Sequence, residues 1–328
     1  MTRNMGLAKG EDGDGKACGP DPQKSVPQKP VVRFAPSPNG LLHLGHVFSA
    51  LFTAEVAEAL GARLLLRIDD IDHTRCTAEF EARIYEDLAW LGLTWEEPVR
   101  RQSDHMAEYQ AALEILVAKG LLFPSRASRR QVRAAVAVRE ADGEFWPLDP
   151  DGGPHYPRAS LRAIDEGQGP KAMRLDMAKA LAGVPPLFFD EIGSDSGPGL
   201  DASKQTLTAT PQVWGDVNLA RKDIHASYHI GVVVDDAVQG ATHITRGADL
   251  APATHLHRLL QFHLGLPTPV YCHHGLLLDG NGGKLAKSLR SEPLREQMAA
   301  GQTRADIRRA CGIDQLAPYF DALALHQS

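Results

Sequence analysis

The sequence predicts an α/β fold: a parallel sheet covered by helices, with a smaller domain inserted into it and a short helical segment at the end. Three observations carry this expectation. A strand-like run, Val31-Val32-Arg33-Phe34, is followed by a proline loop, a helical pattern and a second compact apolar run from Arg63 to Ile68. That order is the βαβ unit that opens a right-handed, parallel sheet. The same alternation of strand and helix patterns returns after residue 216, whereas residues 123–215 are rich in Pro, Gly and Arg and hold only short apolar runs.

Taken in order, residues 1–30 are Gly-, Asp-, Lys- and Pro-rich without apolar periodicity, and read as a disordered leader. Pro36, Pro38 and Gly40 end the first strand. Gly45 to Leu60 is helical, with Val47, Leu51, Ala54 and Ala57 to Ala59 on one face and Gly61 in the position of a C-terminal cap. Residues 78–91 form a second amphipathic helix (Phe80, Ile84, Leu88, Leu91), and residues 106–122 a third. The first half of the sheet domain is thus residues 31–122, and the insert is 123–215. In the second half, 216–290, Tyr228 to Val234 reads as a strand because it is dense in β-branched residues. Further strands are expected near Thr242–Thr245 and Val270–Cys272, with a helix over Pro252–Leu264 between them. The turn Asp279 to Gly283 leads into Lys284-Leu-Ala-Lys-Ser288, and residues 291–328 read as a helical tail.

Bulk properties narrow the class. The 328 residues are 43% hydrophobic and 23% charged, which suits a globular chain with a sizeable core. The net charge of -6 excludes binding to nucleic acid by overall charge, so an RNA partner needs a local basic face. The densest basic cluster is Arg126, Arg129, Arg130 and Arg133, which suits either a solvated helix face or a contact with phosphates. Cys18, Cys76, Cys272 and Cys311 are scattered, which argues against a disulfide framework and for a reducing, cytoplasmic compartment. Neither a membrane span nor a signal-peptide core is present in the sequence, so no membrane partner is expected.

Two constellations carry chemistry. His43-Leu44-Gly45-His46 lies between a strand and a helix. A helix N-terminus offers free N–H groups and positive dipole, glycine permits close approach, and two imidazoles can donate to phosphate oxygens. Lys284 and Lys287 follow a glycine-rich turn, where a closing loop could neutralise a leaving pyrophosphate. Each motif alone is weak; together, in this order, they point to ATP-dependent activation of a carboxylic acid.

At these residues the chain resembles the glutamyl-tRNA synthetase branch of the class I aminoacyl-tRNA synthetases. Arg33-Phe-Ala-Pro-Ser-Pro-Asn-Gly40 and Leu42-His-Leu-Gly-His46 look like its opening signature, and Lys284 to Ser288 like its second signature loop. Leu66 to Asp72, Tyr85 to Gly92, Trp214-Gly-Asp216, Val233-Val-Asp-Asp236 and Thr245 to Leu250 extend the likeness over about residues 31–290. The resemblance implies a Rossmann-type catalytic domain. It implies contacts to L-glutamate from Arg33, Ala35, Ser37, Asp69, Tyr228 and Arg246. It implies ATP contacts, with Mg²⁺ on the phosphates, from His43, Gly45, His46, Lys284, Lys287 and Ser288, of which His43, His46 and Lys287 are catalytic. Asp69 departs from the family's glutamate by one methylene.

Two other departures shape the expectation. About forty residues follow Ser288, too few for an anticodon-binding domain. This length resembles the truncated branch of the family, which places glutamate on the queuosine base of tRNA(Asp), and implies that RNA as the partner; a monomer is expected. Where relatives carry zinc-binding cysteines, this chain has Ser125, Ala127 and Ser160. Hydroxyls and a methyl group do not replace thiolates, so no metal ligands and no zinc are expected, and packing around Phe123, Trp146 and Tyr156 is expected to hold the insert. The alternatives are a minimal enzyme charging tRNA(Glu), a nucleotidylyltransferase acting on a small metabolite, and a silent tRNA-binding paralogue. Glutamate-dependent ATP–pyrophosphate exchange separates the last two from the synthetase readings.

Overall fold

The computed structural model describes residues 29–193, 202–224, 226–277 and 292–325. The leader expected over residues 1–30 lies, but for its last two residues, outside the described residues, as do Lys284, Lys287 and Ser288.

The chain opens with β1 (Val31–Phe34), α1 (Leu44–Ala59), β2 (Arg63–Ile68), α2 (Ala78–Trp90), β3 (Glu96–Arg101) and α3 (Met106–Ala118). β1 and β2 pair in parallel from Val31–Arg63 to Phe34–Leu66, with α1 as the crossover. Gly61 follows α1 at φ +56°, the left-handed conformation expected of a helix-terminating glycine. Thr77 caps α2, its side chain accepting from Phe80 N at 3.2 Å.

Next come β4 (Leu122–Ser125), α4 (Arg129–Ala141), α5 (Arg158–Asp165), β5 (Ala172–Leu175), α6 (Met177–Leu181), β6 (Phe188–Ile192), β7 (Lys204–Thr208) and β8 (Asn218–Ala220). The chain then runs through α7 (Tyr228–Val238), β9 (His243–Gly247), α8 (Ala251–Leu264), β10 (Val270–His274), α9 (Leu294–Ala299), α10 (Arg304–Cys311) and α11 (Ala317–Leu325).

Among the described residues the strands form a large sheet ordered β3-β2-β1-β9-β10-β6-β7 and a small one ordered β4-β5-β8. The large sheet is parallel except for β7, which runs antiparallel to β6. Residues 123–215 therefore do not fold as one separate layer: β6 and β7 extend the large sheet, while β5 pairs with β8, which lies beyond residue 215. The small sheet also shares its apolar core with the large domain. Leu175 and Leu219 pack in one cluster with Tyr109 and Leu116 of α3, Ile230 and Val233 of α7, and Leu256 and Leu260 of α8.

Strand alternation distributes β1 to two faces. Val32 packs with Phe52 of α1 and with Tyr319 and Phe320 of α11. Arg33 points the other way and reaches α7.

The segment Tyr228 to Val234, expected as a strand, is the first part of helix α7. Ile230, Gly231 and Val232 to Asp236 are all buried there. A helix buried around most of its circumference can carry a β-branched run, because packing outweighs a propensity cost of a few tenths of a kcal/mol per residue.

Where zinc-bearing relatives would place ligands, a hydroxyl chain closes the fold. Arg174 Nε donates to Ser125 Oγ at 3.3 Å, Ser125 to Tyr156 Oη at 2.9 Å, and Tyr156 to Asp165 at 2.8 Å. Ala127 packs with Phe123, Tyr156 and Leu161, and Ser160 is exposed on α5. Trp146 donates to the His155 carbonyl at 2.9 Å and stands outside that cluster. This donor set does not suit zinc. No helix among the described residues is long and apolar enough to cross a membrane.

Candidate functional site

The sheet order places a topological switch point at β1: β2 and β3 extend it on one side, β9 and β10 on the other. Ligands of open α/β sheets gather outside the strand carboxyl ends at such a point. Arg33, Asp69 and Arg246 are at or just beyond the ends of β1, β2 and β9, and His43 starts α1 above them. The loops after β1 and β2 are tied together, since Asp69 N donates to the Pro36 carbonyl at 3.0 Å.

His43 is the N-cap of α1. Its Nδ1 accepts from Gly45 N at 3.1 Å, and His46 Nδ1 accepts from His43 N at 3.4 Å. The rings stack with centroids 3.8 Å apart. Because each Nδ1 is an acceptor, each neutral ring carries its proton on Nε2. Burial lowers the pKa of His43, and burial followed by the neighbouring His43 brings His46 down to about 4. Both are therefore neutral hydrogen-bond donors at pH 7, rather than cations. A Cβ at Gly45 would meet His43 Cε1 at 3.0 Å, which explains glycine in the turn. The chain after the lysine loop returns here: Leu294 N donates to the Leu42 carbonyl at 2.8 Å, beside a bridge between His43 and Pro293.

Arg33 is 4% exposed and is held from behind: its Nε donates to Asp236 Oδ1 at 2.9 Å, and Nη1 to the Thr245 carbonyl at 3.1 Å. Asp236 also accepts from Arg67 Nη1 at 2.6 Å. Burial opposes charge on Asp236, but the Arg33 and Arg67 guanidiniums hold its carboxyl below the ordinary value. Its neighbour Asp235, fully buried, accepts from Arg100 Nε at 2.7 Å, Gln102 Nε2 at 2.8 Å and Tyr109 Oη at 2.8 Å. Both aspartates stand in the Val233 to Asp236 motif, where the resemblance assigns neither a role; a pair of adjacent acidic residues at the end of an apolar run is the signal that marks them.

Asp69 accepts from Arg67 Nε at 2.7 Å. Burial pushes its carboxyl up to about 6, against the pull of Arg67. A carboxylate with its pKa raised in the fold gains stability in its protonated form below pH 4 and loses that gain as pH rises through about 6. Above that pH it is ionised and can meet an ammonium group. We therefore expect kcat/KM for glutamate to fall about tenfold per pH unit below about pH 6, since this ratio reports the free enzyme. A pH profile of Asp69→Asn checks it: the acid limb should vanish, and a limb persisting in that variant refutes the assignment.

Arg246 is 5% exposed and has no carboxylate in ion-pair range among the described residues. Its Nε donates to His273 Nε2 at 3.1 Å, Nη1 to His257 Nδ1 at 3.3 Å, and Nη2 to Thr254 Oγ1. A buried guanidinium with neutral partners needs an anion to complete it. Tyr228 starts α7 with its ring centroid 5.8 Å from that of His257, so α7 brings it to the same cluster. Ala35 and Ser37 lie on the loop after β1, and Ser37 Oγ is 3.5 Å from Cys76 Sγ. His257, His273 and Thr254 were not foreseen, since nothing in their spacing marks them. Helix α1 spans this region, with Thr53 Oγ1 2.6 Å from Thr245 Oγ1 and Ser49 Oγ 3.0 Å from His274 Nε2.

A separate groove lined by Glu140, Glu144, Phe145, Trp146 and Leu148 lies at the C-terminal end of α4 and shares none of these residues. No group of three or more His, Cys, Asp or Glu side chains able to hold a metal occurs among the described residues.

Residues 29–148 and 200–306 match the family described as tRNA synthetases class I (E and Q), catalytic domain. A glutamyl-Q tRNA(Asp) synthetase of Rhodobacter capsulatus is 42% identical over 298 residues, covering 86% of this chain and 100% of that one. One from Geobacter sulfurreducens is 35% identical over 295 residues, covering 89% and 84%. Among solved structures, a glutamate tRNA ligase from Elizabethkingia meningosepticum in complex with its amino acid aligns with a TM-score of 0.59 and 26% identity, over 78% of this chain. The present chain spans about half of that longer protein, 51% of its length. The family match, the two relatives and the parallel sheet with its histidine turn agree: the chain belongs to the class I tRNA synthetases of the E and Q type, and among them to the glutamyl-Q tRNA(Asp) synthetases.

Proposed function

We propose that this enzyme activates L-glutamate with ATP as glutamyl-adenylate and passes the glutamyl group to the queuosine base of tRNA(Asp), working in the cytoplasm. The observation that carries the reading is Arg246: a buried fork, without a carboxylate partner among the described residues, in the switch-point crevice next to the helix that starts at His43.

The α-carboxylate of glutamate must reach the α-phosphorus of ATP, so the side-chain carboxylate is the one free to meet Arg246. Asp69 takes the ammonium group, and Arg33 and Tyr228 complete the pocket. An oxygen of the α-carboxylate attacks phosphorus, the bond to the bridging oxygen breaks, and pyrophosphate leaves. The Nε2–H groups of His43 and His46 and the free N–H groups of α1 donate to the phosphates; neutral donors suit this because they keep one charge state across the working pH range. A hydroxyl of the queuosine ring then attacks the anhydride carbonyl and AMP leaves. ATP is the co-substrate, as in class I synthetases, with Mg²⁺ carried on its phosphates.

Lys284, Lys287 and Ser288 complete the ATP contacts in this reading. Replacing Lys287 by alanine should lower the exchange rate by about 100-fold or more, as expected for a charge acting on the leaving group. Near-normal exchange in a folded variant would remove Lys287 from the mechanism.

The function itself is tested by transfer of labelled glutamate to purified tRNAs. Label on queuosine-bearing tRNA(Asp), surviving removal of the 3′ adenosine, is the expected result. Label on tRNA(Glu) instead would make the enzyme a minimal glutamyl-tRNA synthetase.

A further inference from the structure

We propose that His257 and His273 are positioning residues for this reaction: their fixed tautomers aim the Arg246 fork at the side-chain carboxylate of glutamate and so set discrimination against glutamine. The inference rests on the reading of Arg246 as the partner of that carboxylate.

Arginine carries five N–H donors and no acceptor. Every group that faces it at hydrogen-bond distance must therefore offer a lone pair. Arg246 Nε is 3.1 Å from His273 Nε2, so the His273 proton is on Nδ1, which sits 3.0 Å from Glu191 Oε1. Nη1 is 3.3 Å from His257 Nδ1, so the His257 proton is on Nε2, where it donates to His229 Nδ1 at 3.1 Å. Thr254 Oγ1 accepts from Nη2 and lies 3.0 Å from His273 Nε2.

Three of the five N–H groups are thus committed, leaving one on each terminal nitrogen. Thr254, His257, His273 and Arg246 are all 5% exposed or less, so water does not compete for these positions. A proton added to either acceptor nitrogen would set a donor against a donor. Burial, then the Arg246 charge, keeps His257 neutral; burial likewise outweighs Glu191 at His273.

The two remaining N–H groups define what fits. A carboxylate accepts both in parallel. A carboxamide offers one oxygen and turns its NH₂ towards the second N–H, leaving buried donors unpaired. Selectivity against glutamine then depends on the imidazoles that hold the fork's orientation.

The test compares wild type, His273→Gln and His273→Phe in ATP–pyrophosphate exchange with glutamate and with glutamine. Glutamine at position 273 keeps an acceptor oxygen near the Nε2 position, whereas phenylalanine removes it. H273F should raise the KM for glutamate by about tenfold and narrow the glutamate-to-glutamine ratio, as loss of one hydrogen bond to a charged group implies, with the KM for ATP unchanged. H273Q should stay within about threefold of wild type. An unchanged ratio in folded H273F, or equal impairment in both variants, overturns the proposal. Imidazole ¹⁵N spectra of the wild-type protein give a readout independent of activity. The proposal requires His273 protonated at Nδ1 and His257 at Nε2 at pH 7, and the opposite tautomer at either residue overturns it. Wild-type protein without any glutamate-dependent exchange would instead sink the reading of the site, while the spectra still decide the hydrogen-bond arrangement.

Discussion

Replacing Arg246 by leucine is expected to raise the KM for glutamate in ATP–pyrophosphate exchange by about 100-fold or more while leaving the fold intact. The size follows from what is lost: a desolvated carboxylate without its partner costs about 3 to 5 kcal/mol, and each 1.4 kcal/mol is tenfold. The fold should survive because Arg246 is bonded only to neutral groups, so its removal strands no buried anion. Arg246→Lys should recover little, since an ammonium cannot span His273, His257, Thr254 and a ligand at once. Exchange kinetics together with urea unfolding test this. Glutamate KM within a few-fold of wild type in the leucine variant would place the substrate carboxylate elsewhere.

Asp236 presents the opposite case, where loss of a charge is expected to damage the fold. It joins Arg33 and Arg67, and Arg67 is fully buried. Asp236→Ala leaves two desolvated guanidiniums short of a counter-ion, so we expect a loss of about 3 to 5 kcal/mol in unfolding free energy. The pKa of Asp236 is held below its ordinary 3.8, so its stabilising contribution is present above that value and lost as pH falls below it. Urea unfolding of wild type and variant at pH 7 and near pH 3 checks both parts. The gap should be wide at pH 7 and narrower in acid; a gap that is small at pH 7 would mean that Asp69 and Asp235 compensate.

These two arginines show how far the sequence can be read. Arg33 and Arg246 were both singled out from their motifs, and each is a buried arginine at the end of a neighbouring parallel strand. Their behaviour differs because Arg33 has Asp236 at 2.9 Å and Arg246 has histidines. Asp236 is 203 positions from Arg33, and no local pattern encodes that pairing. His257 and His273 are two of 14 histidines, and neither lies in a recognisable motif.

The error at Tyr228 to Val234 has a similar origin. β-branched density favours a strand when one face meets solvent, and here packing against α3 and α8 covers the segment on several sides. The Arg126 to Arg133 cluster divides in the structure: Arg126 is tied to Asp165 and the Gly169 carbonyl, whereas Arg129, Arg130 and Arg133 are exposed on α4.

By itself the sequence determined the features that depend on neighbours in the chain. These are the βαβ opening with its helix-ending Gly61, the histidine–glycine turn at a helix N-terminus, and the family to which those motifs belong. Backbone sterics, helix caps and apolar periodicity act over a few residues, so they are written locally. Only the tertiary structure decided which charges meet in the core: Arg33 and Arg67 on Asp236, Arg246 on neutral imidazoles, and β6 and β7 on the edge of the large sheet. Desolvation and ion pairing depend on everything packed around a group, and that exists only once distant segments have come together.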